Sequence, residues 1–410
     1  MIEEKRETKR SIIKMYGMTV SYKMICVVIG FVNSILINRC LGVALRGDYT
    51  TITNWASLLQ LLLNLGIGTA YPAFKRNYPK DSKDMFTTIG IIISSLYLVG
   101  FIVLSPFVNH EVKYICLIAY LTTIENFLIF IAIVEDVSKR NLINIVTSCL
   151  HTTVLGIIFV FFRFNLDAIL GAVILDHLVL CIAFVYFYKI GSFRLNLINS
   201  ALLKELFTIA IPAMLMNMLM YLNYHADVLF LSGITHDSVE VGLYGTAVTL
   251  GNMLWIVPDA FKDIMYNRAA KKDNPKEVIL AIMCNMFICI IVLVGFVFLG
   301  KWFLKTMYGN DFIAAYPLVL TLFVGTLPMV LYKLIHPIYI ANGKTKTVVI
   351  LLGLAVLINI IGDITLIPKF KGMGAAISSV ISYMICGIIF FCKFKLDYNI
   401  ALRKITCFKR

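Results

Sequence analysis

Seven charged residues of this sequence lie inside long apolar runs, where their side chains can do chemistry. They are Lys23, Glu125, Asp176, Asp227, Asp259, Lys333 and Asp363. A charged side chain at the centre of a bilayer costs roughly 2.5 to 3.5 kcal/mol on insertion scales, so such residues usually face a cavity or a partner. A carboxylate in that position can exchange a proton or a cation, and an ammonium group can bind a phosphate.

The two lysines are candidates for substrate binding. Lys23 lies about midway along the first apolar run, and Lys333 lies well inside the tenth. Both can meet a diphosphate or an anionic sugar in a central cavity. His336 follows Lys333 by three residues and shares its helical face, so it joins the candidates. The alternative is that the lysines extend to the membrane surface or pair with Glu125 or Asp176.

Three acids are candidates for ion coupling. Glu125 lies near the centre of the fourth run, Asp176 near the centre of the sixth, and Asp227 in the seventh. Each can exchange a proton or Na⁺ during transport, and Asp227 is also a candidate for substrate binding. Pairing between helices is the alternative for Glu125 and Asp176, and a hydrogen bond to the loop before the eighth run is the alternative for Asp227. Asp259 and Asp363 lie near the ends of their runs, which favours interfacial positions.

The composition predicts an all-α, polytopic membrane protein. Of the 410 residues, 60% are hydrophobic and 15% are charged, with a mean hydropathy of +0.87. A water-soluble fold could not cover so much apolar side chain. The runs are continuously apolar and about 20 residues long, which suits membrane-crossing helices rather than alternating β-strands. The sequence contains twelve such runs, near residues 12–38, 49–74, 85–108, 112–134, 142–163, 168–188, 205–232, 241–264, 277–300, 313–340, 347–368 and 374–392.

The distribution of Lys and Arg predicts the orientation in the membrane. If both termini are cytoplasmic, 27 of the 37 basic residues lie in inside segments and 8 lie in outside segments. This asymmetry favours twelve helices with both termini in the cytoplasm. It also accounts for the net charge of +14 without a nucleic-acid partner. The cysteines form no CxxC pair and the histidines lack ligand spacing, so we expect no metal site and no cofactor.

Two short patterns recur across the middle of the chain. Gly47-Asp48-Tyr49 and Gly242-Leu243-Tyr244 are 195 residues apart, and Gly171-Ala172-Val173 and Gly374-Ala375-Ala376 are 203 residues apart. These similar offsets favour two pseudo-symmetric six-helix bundles, an arrangement typical of alternating-access transporters. The predicted bundles are residues 1–195 and 196–410. The alternative is that such triplets simply recur where helices begin.

The stretch from His225 to Ala247 resembles the multidrug/oligosaccharidyl-lipid/polysaccharide exporter superfamily, specifically its Wzx-like polysaccharide flippases. In that family an Asp in helix seven precedes a Gly-x-Tyr-x-x-Ala pattern at the start of helix eight. The matching residues are Asp227, Gly242, Tyr244 and Ala247. Further landmarks follow the family's order: Asn38-Arg39-Cys40-Leu41-Gly42, Tyr308-Gly309-Asn310-Asp311-Phe312, Ala341-Asn342-Gly343-Lys344, Asn359, Ile367-Pro368 and Gly374-Ala375-Ala376.

Two positions depart from the family's pattern. Lys371 stands where the family often has Gly, and Arg46-Gly47-Asp48 is more charged than usual for its turn. Both departures put the local loop geometry in doubt and leave the fold unaffected.

The resemblance implies a flippase of the bacterial inner membrane. It would turn undecaprenyl-diphosphate-linked oligosaccharide repeat units across the bilayer by alternating access, for assembly of O-antigen or capsule. A polysaccharide polymerase and chain-length machinery are the implied protein partners, besides the lipid-linked substrate and the bilayer. We expect no enzymatic activity.

Two other classes of function compete with this expectation. A cation-coupled multidrug exporter of the same superfamily would prefer an acidic, aromatic cavity, which the two lysines disfavour. A membrane-embedded acyltransferase could use His151 or His177 as a general base, although neither has an evident partner in the sequence. A polysaccharide polymerase would be expected to have a long outer loop, and every predicted outer loop is short.

Overall fold

The computed structural model describes the backbone of residues 2–259, 261–262 and 275–398, and the side chains of residues 22, 24–259, 261–262 and 277–398. Throughout these ranges the regular structure is helical and contains no strand, which confirms the all-α expectation. The α-helices are α1 Ile2–Asn64, α2 Ile67–Asn77, α3 Ser82–Leu104, α4 His110–Glu135, α5 Val137–Phe161, α6 Leu166–Tyr188, α7 Ser200–Thr235, α8 Ser238–Leu254, α9 Pro275–Met307, α10 Tyr316–Ala341 and α11 Thr345–Asp397. Short 3-10 helices occupy Ser105–Phe107, Leu195–Leu197 and Asn310–Ala315.

Nine helical segments of the described chain are long and apolar enough to cross a membrane. Two of them, Met24–Asn77 and Thr345–Asp397, have 54 and 53 residues. At a rise of about 1.5 Å per residue, each would extend roughly 80 Å as a straight helix, far more than the roughly 30 Å of a bilayer's hydrocarbon core. Met24–Asn77 leaves the helical region at Gly42 (φ 69°) within α1 and again at Leu65 (φ 52°) and Gly66 (φ 68°) between α1 and α2, and Thr345–Asp397 does so at Lys371 (φ 49°) in α11. Both long helices are therefore interrupted.

The interruption at Lys371 is held by the turn between α7 and α8. Lys371 Nζ lies 3.2 Å from Asp237 Oδ2, and the N–H of Gly372 donates to Glu240 Oε2 at 3.2 Å. The N–H of Glu240 and the ammonium group of Lys371 lower the pKa of the half-buried Asp237 carboxyl. A left-handed conformation disfavours a side chain, so these contacts stabilise Lys371 where the family often has Gly.

The chain divides into two compact units, Met1–Met218 and Leu219–Arg410, and α7 passes from one into the other. The core of the first unit packs Tyr71 and Phe74 of α2 against Phe86 of α3, with ring centroids 5.0 and 5.3 Å apart.

In the second unit, α10 is the most enclosed membrane segment, because α8, α9 and α11 all pack against it. Gly387 permits this close approach, since a Cβ there would lie 2.1 Å from the carbonyl oxygen of Pro328.

Candidate functional site

The first polar cluster lies in the second unit around Asp227 of α7, whose side chain is 1% exposed. Its Oδ2 accepts hydrogen bonds from the hydroxyl of Tyr244 in α8 and from Ser379 Oγ in α11, the latter at 2.6 Å. Its Oδ1 accepts from the N–H of Val228 at 2.7 Å. The alternative considered for Asp227 was a hydrogen bond to the loop before α8, whereas the observed partner Tyr244 lies within α8. This carboxylate therefore joins α7, α8 and α11.

Asp363 of α11 extends this cluster, and it is completely buried. Neither of its carboxylate oxygens has a hydrogen-bond partner among the described residues, and neither does Oδ1 of Asn359, one turn earlier. Ser378 also faces Asp363, but it donates its single hydrogen to the main-chain carbonyl of Asn359 at 2.8 Å. Asp363 interacts electrostatically with Asp227. The cluster therefore combines two buried carboxylates with oxygen atoms that have spare acceptor capacity.

This arrangement can hold one small cation or one proton. Two carboxylates close together in an apolar interior cannot both stay ionised without a compensating positive charge. Oxygen atoms of carboxylates, amides and hydroxyls are the ligands that hard cations prefer. Within the described chain, no group of three or more His, Cys, Asp or Glu residues is placed to hold a metal ion. The surrounding amide and hydroxyl oxygens are therefore needed for any cation bound between Asp227 and Asp363.

The second polar cluster surrounds Lys333 of α10, in the same unit. Lys333 Nζ donates to both carboxylate oxygens of Asp259, at 2.9 and 3.0 Å. The ammonium group also lies 4.7 Å from the ring centroid of Trp255 and 5.3 Å from that of Tyr224, within the range of cation–π attraction. The partner of Lys333 is thus Asp259, and not Glu125 or Asp176, the partners considered from the sequence.

The two members of this ion pair differ in exposure. The Lys333 side chain is 7% exposed, whereas that of Asp259 is 38% exposed. Lys262 Nζ lies 3.4 Å from the same carboxylate. His336 is also buried, stacks on Tyr332 at 4.5 Å between ring centroids, and places Nδ1 2.9 Å from that residue's carbonyl oxygen. The carboxylate is thus the more exposed partner, while the lysine is enclosed.

The remaining sequence-derived candidates lie in the first unit. Glu125 of α4 and His177 of α6 meet at 2.5 Å, and Asp176 of α6 lies 4.0 Å from His151 of α5. The structure therefore brings two of the three ion-coupling candidates, Glu125 and Asp176, into one neighbourhood of the first unit, whereas Asp227 belongs to the second unit. Lys23 belongs to α1, but its side chain lies outside those that the structure describes.

Sequence reasoning missed Asp363 and Asp259 as members of these clusters, because both lie near the ends of their apolar runs. A usable signal existed for Asp363. Asn359 and Asp363 are four residues apart and so share one helix face. A helix rich in serine, with Ser378, Ser379 and Ser382, follows in the same apolar region. No comparable signal identified Asp259, whose partner is 74 residues away.

Comparisons with known proteins agree with this architecture. A family model described as polysaccharide biosynthesis protein matches residues 12–257, more than half of the chain. Among curated proteins, none matches the sequence.

Several solved structures share the fold at low sequence identity. An inward-facing multidrug resistance MATE family transporter of the MOP superfamily has a TM-score of 0.69 and 14% identity, over 96% of this chain and 100% of that one. The lipid II flippase MurJ in an inward closed conformation has a TM-score of 0.69 and 16% identity, over 94% of this chain and 88% of that one. An outward-facing MATE family transporter has a TM-score of 0.60 and 16% identity, over 97% of each chain. These matches confirm the resemblance inferred from the sequence motifs, and the shared fold is that of membrane transporters.

The unequal exposure of the Lys333–Asp259 pair predicts unequal effects of removing either partner. Asp259→Asn leaves a buried ammonium group without its carboxylate, which should lower stability by roughly 3 kcal/mol. Lys333→Met removes the buried charge and leaves Asp259 beside Lys262 in a partly hydrated position, so the loss should be about 1 kcal/mol or less. Thermal unfolding of the purified proteins in detergent measures the difference.

Lys305→Met at an exposed site is the control for loss of a lysine. Equal destabilisation by Asp259→Asn and Lys333→Met, or a larger effect of Lys333→Met, would contradict this description of the pair.

Proposed function

Because this chain belongs to the polysaccharide biosynthesis protein family, we propose that it is a flippase for undecaprenyl-diphosphate-linked oligosaccharide repeat units. It moves these units across the bacterial cytoplasmic membrane for assembly of O-antigen or capsule. The family match is the observation that carries the proposal. The likeness of the fold to a lipid II flippase supports it, since that protein's name also specifies the flipping of a lipid.

The membrane arrangement that we propose has twelve spans in two six-helix bundles, residues 1–195 and 196–410. The breaks at Gly42 and Lys371 support it, because they allow each of the two longest segments to supply two spans. The 17-residue helix α8 supplies a further span beside the other seven segments. Both termini are cytoplasmic in this arrangement, as the distribution of Lys and Arg predicts.

Substrate binding in this proposal involves Lys333, His336 and Asp227 of the second unit, together with Lys23. A diphosphate is negatively charged, as is the Asp259 carboxylate that pairs with Lys333. The diphosphate can therefore replace Asp259 as the partner of the Lys333 ammonium group. The exposure of Asp259 supports such an exchange, because a partly hydrated carboxylate loses its partner at lower cost than a buried one. Lys262 remains available to Asp259 after the exchange.

Ion coupling in this proposal occurs between Asp227 and Asp363. Occupancy by a proton or Na⁺ compensates the two carboxylates, and loss of the cation leaves uncompensated negative charge in an apolar interior. Because α7, α8 and α11 all contribute to the cluster, occupancy affects how these helices pack. This gives an ion gradient a means of biasing the alternating-access equilibrium.

The second candidate function is a cation-coupled multidrug exporter. The inward-facing MATE family transporter and the lipid II flippase have equal TM-scores, so the likeness of the fold supports both candidate functions to the same degree. The acyltransferase and polymerase alternatives receive no such support from the fold. A polysaccharide polymerase and chain-length machinery remain the proposed partners of the flippase.

We expect Lys333→Met, Lys23→Met and Asp227→Asn each to lower surface polysaccharide at least about tenfold in a host that lacks its own flippase. Each change removes a charged group from the proposed transport path, and hydrogen bonds to charged groups contribute about 1.5 to 3 kcal/mol, or about tenfold and more. Surface polymer is measured relative to the amount of the variant in the membrane.

Lys305→Met, at an exposed position, should leave polymer output at the wild-type level. Normal output from all three test variants would refute the assignment of these residues.

The class of substrate can be tested with purified protein in liposomes. The protein should move a radiolabelled undecaprenyl-diphosphate oligosaccharide between leaflets, as measured by its accessibility to a membrane-impermeant lectin, and should not transport ethidium. Liposomes without protein provide the background rate. Ethidium transport without any movement of the oligosaccharide would instead establish the multidrug exporter alternative.

A further inference from the structure

The first unit contains four titratable side chains that the proposed transport path leaves without a role. We call them the imidazole–carboxylate quartet: Glu125 of α4, His151 of α5, and Asp176 and His177 of α6. These three helices pack against one another within the unit. Asp176 and His177 are consecutive, so each imidazole of the quartet has a carboxylate from a neighbouring helix.

One pair of the quartet is closed. His177 Nδ1 and Glu125 Oε2 are 2.5 Å apart, and their side chains are 22% and 16% exposed. A nitrogen and an oxygen at this distance must have a proton between them, because two lone pairs would repel each other. The imidazole N–H therefore donates to the Glu125 carboxylate, and this hydrogen bond links α6 to α4.

The other pair is open. His151 Nδ1 and Asp176 Oδ2 are 4.0 Å apart, which is too far for a hydrogen bond. The His151 side chain is only 10% exposed, and its Nδ1 has no hydrogen-bond partner among the described residues. Asp176 is 27% exposed, so water can reach the carboxylate. The nearly buried Nδ1 of His151 thus faces the partly hydrated carboxylate of Asp176. A proton on this nitrogen would give it a hydrogen to donate to the carboxylate.

The charged and titratable groups around the open pair come from every neighbouring helix. Tyr49 of α1 interacts electrostatically with Asp176, and the Arg46 guanidinium lies 5.0 Å from the Tyr49 ring centroid. Glu125 and His177 interact with Asp176 from the closed pair, and Cys181 lies beside Glu125. Tyr49 thus faces Asp176 from the α1 side, with Arg46 against its ring, and the second imidazole lies on the α6 side.

We propose that His151 and Asp176 form a proton-binding site in the first unit, with the closed pair of His177 and Glu125 as its positioning residues. A proton from water adds to the imidazole nitrogen, and the resulting imidazolium N–H donates to the carboxylate. The site thereby gains one positive charge, and α5 is drawn towards α6. Imidazole suits this role, because its charge changes in the neutral pH range.

This site is chemically different from the cluster around Asp227 and Asp363. Its ligand is a proton, since two ring nitrogens replace the amide and hydroxyl oxygens that would suit a hard cation. Its contribution to transport rests on the proposed flippase function. Proton binding itself does not, and it can be measured without any substrate.

Nuclear magnetic resonance of the histidine rings provides the test, with isotope-labelled full-length protein in detergent. His151→Gln assigns the His151 signal, which should titrate between about pH 5 and 8 in the wild type. Asp176→Asn should lower the His151 midpoint by about one pH unit, equivalent to about tenfold weaker proton binding, because the carboxylate that stabilises the imidazolium is lost. Asp176→Glu should keep the midpoint near that of the wild type.

The chain provides a matched control in His110 and Asp167, a second His–Asp pair of the first unit with a separation of 3.8 Å and exposures of 69% and 64%. Asp167→Asn should leave the His151 midpoint unchanged. The proposal is overturned if wild-type His151 does not titrate in this range. That measurement uses the wild-type protein, so it does not depend on whether a variant of Asp176 folds. It is also overturned if Asp176→Asn and the wild type share one midpoint.

Discussion

Burial of Asp227 and Asp363 in one apolar unit is the constraint on which the proposed mechanism depends. Asp227 receives hydrogen bonds from α8 and α11, whereas Asp363 has no partner for either oxygen among the described residues. Two such carboxylates need a positive charge between them, and an exchangeable cation can supply it. Because the cluster joins three helices, we propose that its state of charge affects how these helices pack.

Other charged side chains inside the apolar helices also have partners of opposite or complementary charge, but the partner groups differ. Lys333 is compensated by Asp259, a carboxylate that stays partly hydrated. Glu125 lies within hydrogen-bond distance of His177, while Asp176 faces His151 across an open gap. An exposed or separated partner can be exchanged, and an enclosed partner fixes the structure. On this basis we propose that Lys333 exchanges Asp259 for a substrate phosphate and that His151 takes up a proton beside Asp176, whereas the enclosed pair of His177 and Glu125 holds the geometry.

The sequence predicted the features that depend on local pattern. Continuous apolar runs indicated helices, and the family motif singled out both Asp227 and Tyr244, which the structure joins by a hydrogen bond. It did not predict the partner of Lys333, because that contact joins positions 74 residues apart and depends on how α10 packs. It also gave no reason to expect burial of Asp363, since proximity to the end of an apolar run does not reveal which neighbours cover a side chain. Lys371 departed from the family pattern, and the reason for its tolerance became visible only with Asp237 beside it.

In the proposed mechanism, a cation that compensates Asp227 and Asp363 couples an ion gradient to movement of the lipid-linked oligosaccharide. The most direct measurement is the distribution of labelled oligosaccharide between leaflets of liposomes after a proton or sodium gradient is imposed. Wild-type protein should accumulate the label in one leaflet in response to one of these gradients. With Asp363→Asn, the label should still move between leaflets but should not accumulate in response to either gradient. Asp311→Asn, at an exposed position, is the control and should behave like the wild type. Gradient-driven accumulation by Asp363→Asn at the wild-type level would contradict the claim.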